Sequence, residues 1–235
     1  MIEPSQRHAA RVFAITTLLM NLVIMFAFTR FYGPFLAWEH DAETARNFSA
    51  HEQLLHYYIA AAVMYGLGAM VALTALYVVF RPVGRGWAFF AASARLIYAV
   101  MWFLCLLDLF GALNMMKSGA LEPERLQVLA GLQLTSGWDA YYIGLTFYAI
   151  GSVIFAYLFL KSRYIPRALA VFGIVCALFE GVCGFGYLVD RKFGAIVSPN
   201  WYEMPPLLFE VILCLWILIR GLRLPKSAKS IAAAV

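Results

Sequence analysis

A chain of 235 residues that is 63% hydrophobic and only 13% charged, with a mean hydropathy of +0.78, has too little polar surface to cover a soluble globule. It reads as an integral membrane protein with room for about six spans and little else. The formal charge of +5 does not mark a nucleic-acid surface, because the cations sit in short loops beside apolar runs, where they report topology.

In chain order, a polar start carrying Arg7, His8 and Arg11 precedes the first apolar helix, at about 12–30. This run is long for a cleaved signal, and Phe28 to Tyr32 offers no small-residue cleavage site, so the helix is expected to be retained. The segment 31–53 is aromatic and then acidic. It reads as an outside loop with an interfacial belt at Phe31, Tyr32, Phe35 and Trp38. Helix 2, about 54–80, is rich in Ala and Gly, which lets helix backbones approach closely and predicts a place in the bundle interior. The turn Arg81-Pro82-Val83-Gly84-Arg85 leads into helix 3, about 87–113.

Between helices 3 and 4, Leu121, Leu126, Leu129 and Leu132 recur near helical spacing, which predicts a short amphipathic helix on the outer surface. Helices 4 and 5, about 139–160 and 167–189, form a hairpin around the basic turn Lys161 to Arg167. Residues 191–205 lie outside, helix 6 spans about 206–222, and a basic tail with Lys226 and Lys229 follows. Placing both termini in the cytoplasm puts eleven cations inside against six outside, with Glu3 as the one inside acid. The expected fold is therefore an all-α membrane bundle of six helices forming a single transmembrane domain.

Several stretches carry a family likeness: Tyr141-Tyr142-Ile143-Gly144-Leu145 with Phe147-Tyr148, Ser162-Arg163-Tyr164-Ile165-Pro166-Arg167, Ala94-Arg95-Leu96, and Phe209-Glu210 with Cys214-Leu215-Trp216. Together they resemble the bacterial membrane proteins grouped as the domain of unknown function 4386 family. The resemblance spans nearly the whole chain and implies a six-helix fold in the bacterial cytoplasmic membrane, with no assigned activity. Family members often have an acidic residue shortly before the isoleucine-glycine-leucine signature. Here Tyr142 is nearest, and Asp139 lies a turn earlier.

Ionisable groups inside a membrane cost at least ~2.5 kcal/mol each, so each needs a partner, a water-filled cavity or a function. Counted from the expected helix ends, Asn21, Arg95 and Glu180 fall ~12–15 Å deep, near the midplane. Arg95 and Glu180 are expected to pair, with Asn21 nearby. Asp108 and Glu210 form a second layer ~6–8 Å below the outer surface, and His56, Asp139 and Tyr141 lie just above it. An acidic, polar outer half predicts a cavity open to the outside. The same residues also fit a buried structural ion pair and helix-end caps.

His51-Glu52 and His56 look like a zinc-protease motif, but i and i+5 spacing rotates the histidines onto different faces. Cys105, Cys176, Cys183 and Cys214 all fall in expected spans. No close Cys pair marks a metal site, so they read as buried thiols. No residue pattern names a cofactor. Three functions remain open at this point: binding of a small apolar or amphiphilic molecule, an intramembrane enzyme using the carboxylates and His56, or a non-catalytic scaffold. The bilayer is the one partner the residues identify; a small-molecule or lipid ligand is open, as is the oligomeric state.

Overall fold

The computed structural model describes residues 2–37 and 40–223, and every regular element among them is helical. Five stretches are long and apolar enough to cross a membrane: Pro4–Phe35, Glu52–Lys117, Pro123–Ser162, Arg167–Val189 and Trp201–Arg220. In chain order the helices are α1 (Pro4–Ala27), α2 (Asp41–Ala50), α3 (Glu52–Lys117), α4 (Pro123–Ser162), α5 (Arg167–Val189), α6 (Phe193–Ile196) and α7 (Pro199–Arg220). A π-helical turn at Phe28–Tyr32 and a 3-10 turn at Gly33–Phe35 extend α1.

The longest helix is a hairpin. Gly84 alone leaves helical geometry, with φ −176° and ψ 86°, and divides α3 into limbs 52–83 and 85–117. Contacts between the limbs run antiparallel. Lys117 pairs with Glu52, His56 stacks on Phe110, and Trp102 Nε1 donates to Ala62 O at 3.0 Å. The small residues of the first limb are used as close-contact points, since Gly66 backs onto Phe103 and Gly68 onto Met20.

The segment between helices 3 and 4 differs from expectation. Residues 123–162 form one unbroken helix, ~60 Å long at 1.5 Å per residue, twice the bilayer core, and no separate surface helix precedes it. Nothing between Glu122 and Trp138 breaks the helix, and the leucines do not share a face: Leu126 is buried while Leu129 and Leu132 are exposed. The overshooting half of α4 receives α2 at Gly131, where a Cβ would meet Ala42 N at 2.9 Å. The stretch expected as an outside loop is thus largely folded. Tyr32, expected at the interface, is buried against Phe48 and Tyr58. Trp38, Glu39 and the basic tail with Lys226 and Lys229 lie outside the described residues.

The two ends of the bundle are packed differently. At the end formed by the α3 bend and the α4–α5 turn, Gln6 Nε2 donates to Val79 O at 2.8 Å and to Tyr164 Oη at 3.1 Å. The backbone N–H of Arg223 donates to Tyr164 O at 2.8 Å. Arg163 closes α4 in the left-handed region, with φ 57°, so that Arg163 stays exposed while Tyr164 and Ile165 enter the core. Phe80, Phe155, Leu158 and Phe159 fill the space around them.

Midway along the bundle, Gly151 brings α4 against the second limb of α3. A Cβ there would meet Arg95 Cγ at 2.7 Å and Ala91 O at 2.8 Å. Gly151→Ala is expected to destabilise the fold by ~1–3 kcal/mol, whereas Gly86→Ala, with nothing within 4 Å, leaves stability unchanged. Thermal unfolding of the two variants in one detergent checks this, and equal midpoints would refute the close α3–α4 contact.

Candidate functional site

Arg95 sits where that contact is tightest. Its Nη2 donates to Glu210 Oε1 of α7 at 3.1 Å. Tyr148, just under one turn before Gly151 on α4, donates to the same oxygen at 2.7 Å, and its ring lies 4.2 Å from the guanidinium carbon. Asn21 Nδ2 of α1 reaches the other oxygen, Glu210 Oε2, at 3.5 Å. One carboxylate therefore gathers donors from three other helices, which is how a buried charge pair offsets its desolvation. On the packed side of this layer is a 20 Å³ cavity, the size of one water molecule, where Ser152 Oγ is buried without a partner among the described residues.

On the opposite side the bundle is hollow. A cavity of 1190 Å³ runs from this layer to the end where Ala37, Asp41, Arg191, Lys192 and Trp201 lie. Asn21, Tyr148, Glu180 and Glu210 line its depth, and Asp41, Arg191 and Lys192 line its mouth. Between them the walls are aliphatic and aromatic, the rings including Tyr58, Tyr65, Tyr98, Trp102, Trp138 and Tyr141. Trp102 and Trp138 each meet the Tyr141 ring edge to face, at centroid distances of 6.2 and 6.1 Å. Tyr141 in turn donates to Glu203 Oε1 at 2.9 Å.

The carboxylates on this wall are not equivalent. Glu210 is paired, Glu203 accepts from Tyr141, and Glu180 is 4% exposed with Oε2 lacking any hydrogen-bond partner among the described residues. Arg95 and Glu180 do not pair as expected from sequence. The reason is the start of α7. Counting from Pro206 places Glu210 near the surface, but the helix begins at Pro199, which carries Glu210 ~16 Å along it, to the level of Arg95. Pro205 and Pro206 are interior to the helix, and without their N–H groups the carbonyls of Trp201 and Tyr202 lose their helical donors.

Of the other expected site residues, Asn21 and Tyr141 line the cavity and three do not. Asp108 accepts from Gln133 Nε2, Asp139 pairs with Arg191, and His56 lies near Glu52 at 3.6 Å and stacks on Phe110. Glu203, Tyr148 and Trp102 were missed. Glu203 falls in the segment 191–205 that the sequence places outside the spans, and aromatic residues at helical spacing carry no mark that separates a cavity wall from a core. Cys176, Cys183 and Cys214 are buried, and no cluster of three metal-ligating side chains occurs among the described residues.

A family model described as Domain of unknown function (DUF4386) matches residues 12–221. The chain belongs to this family. No curated protein and no solved structure matches it. The DUF4386 match covers the helices that supply Asn21, Arg95, Tyr148, Glu180 and Glu210, so the polar layer and cavity both lie within the family domain. With its long apolar helices, this DUF4386 protein is a multi-pass membrane protein.

The two buried glutamates predict opposite outcomes. Glu210→Ala leaves the Arg95 charge uncompensated and is expected to cost ~3–5 kcal/mol. Glu180→Gln removes a carboxylate whose Oε2 has no partner among the described residues, and should leave the unfolding midpoint unchanged or raise it. Melting curves of both variants beside the wild type check the assignment, which a larger loss in Glu180→Gln would reverse.

Proposed function

We propose that the protein is a six-span protein of the bacterial cytoplasmic membrane, with both termini inside. In this reading it binds a small apolar or amphiphilic molecule in the cavity, which opens to the outside. The observation that carries this is the asymmetry of the bundle: one end packed around Phe80, Phe159 and Tyr164, the other hollowed by 1190 Å³ above a polar floor. Ligand pockets of this kind combine apolar and aromatic walls with a few convergent polar groups. Met25, Phe28, Trp201 and Met204 line the cavity with accessible apolar surface, which favours an apolar or amphiphilic ligand. The Gly84 bend, between Arg81 and Arg85, and the turn from Lys161 to Arg167, with three cations, are assigned to the cytoplasmic side by the positive-inside bias. A scaffold reading calls for a filled core, and the cavity argues against it.

Two experiments test this. In a Cys105→Ala background, Ser118→Cys is expected to react with an impermeant maleimide in intact spheroplasts and Gly86→Cys only after lysis. The reverse pattern would invert the topology. Native mass spectrometry with lipidomics should find a species retained by wild type and lost from Met25→Trp, which fills the cavity from an exposed position. If nothing is retained and no amphiphile raises the unfolding midpoint, the binding reading falls.

A further inference from the structure

The chemical class of the ligand follows from the charges that line the cavity, taking it as a binding site as proposed above. Three carboxylates, Glu180, Glu203 and Glu210, face its interior. One guanidinium, Arg95, reaches the same depth, and it is committed to Glu210 and to the face of Tyr148. Glu203 is held by Tyr141. Glu180 is left 4% exposed, lining the cavity, with Oε2 unpartnered among the described residues. A carboxylate taken out of water needs a countercharge or a donor to offset its lost hydration; Arg95 is committed to Glu210, and no described side chain donates to Glu180 Oε2.

We infer that the cavity takes a hydrophobic organic cation, seated with its charge against Glu180 and its apolar body on the surrounding aromatic rings. The contact of Arg95 with Tyr148 already shows a ring of this wall serving as a cation platform, at 4.2 Å. Tyr98 packs edge to face on Tyr148 at 5.0 Å, and Trp102 and Tyr141 continue the same surface. Delocalised or alkylated ammonium and phosphonium centres suit such a surface because they are weakly hydrated and lose little on leaving water. A bare metal ion does not suit it, since no cluster of three metal-ligating side chains occurs among the described residues. An organic anion would meet the three carboxylates. The cations at the mouth do not reverse this, because Arg191 is paired with Asp139, and Lys192 is exposed at the rim, where Asp41 also lies.

The test uses two probes of one shape and opposite charge, tetraphenylphosphonium and tetraphenylborate, each titrated by calorimetry against the full-length protein in neutral-lipid nanodiscs. Saturable binding of the phosphonium, at least tenfold tighter than the borate, is expected. Glu180→Gln should weaken the phosphonium at least tenfold without lowering the unfolding midpoint, and Glu180→Asp should retain part of the affinity. Once each probe's partitioning into empty nanodiscs is subtracted, the wild-type comparison of probes decides the charge preference without any variant. Equal affinity for both probes, or a folded Glu180→Gln that binds like wild type, overturns the cation assignment and leaves the cavity as a general amphiphile site. If neither probe binds and no species co-purifies, the cation assignment and the binding reading fall together.

Discussion

The fold depends on how one positive charge is accommodated inside an apolar bundle. Arg95 is surrounded by helices whose outward faces are Leu, Val, Ile and Phe, so its countercharge must come from within. Glu210 supplies that charge, and it does so at a level where side chains of α1, α3, α4 and α7 converge. A lipid-facing helix gains little from packing apolar side chains against protein instead of acyl chains, so packing detail and polar contacts set which helices meet and in what register. Gly151 provides the detail, allowing the backbone of α4 close enough for Tyr148 to share the carboxylate with Arg95.

That layer also divides the molecule. On one side, Gln6, Val79, Tyr164 and Arg223 are joined by hydrogen bonds that tie the start of α1, the end of the first α3 limb, the α4–α5 turn and the end of α7. Large rings fill the remaining space. On the other side the helices are longer, braced from above by α2 against α4, and they enclose a volume instead of closing on it. The charged floor and part of the wall are held by hydrogen bonds. Trp102 on Ala62 O and Tyr141 on Glu203 are examples.

Hydropathy and charge placement made the long helices legible, because a span needs its length of apolar residues whatever it packs against. The breaks at Gly84 and Ser162–Pro166 were legible too, being written in Gly, Pro and clustered cations. Extensions beyond the bilayer were not. Leu126 and Ala130 look amphipathic in isolation, but they continue a membrane helix and are covered by α2, a contact between segments some 85 residues apart that no local pattern carries. In the site, Arg95, Glu180, Glu210 and Asn21 stood out because they are expensive in lipid. Which carboxylate meets the guanidinium was not legible, since depth is counted from a helix start and the start of α7 was misplaced by seven residues.

The cause of that misplacement bears on how the cavity is built. Two consecutive prolines usually open a helix, where missing N–H groups have no partner to lose. In α7 they follow six helical residues, so the segment 199–204 is joined to the rest by a ladder lacking the bonds to Trp201 and Tyr202. That segment carries Glu203 and Met204 on the cavity wall, while Tyr202 is fixed from the side through Tyr142, with the two hydroxyl oxygens 2.9 Å apart. Below the prolines the ladder is complete and Glu210 is anchored by Arg95. One helix thus joins a rigid half that holds the charged floor to a half whose position rests on side-chain contacts with α4. Wall and floor are set by different interactions, and the shape of the cavity can change without disturbing the charge pair beneath it.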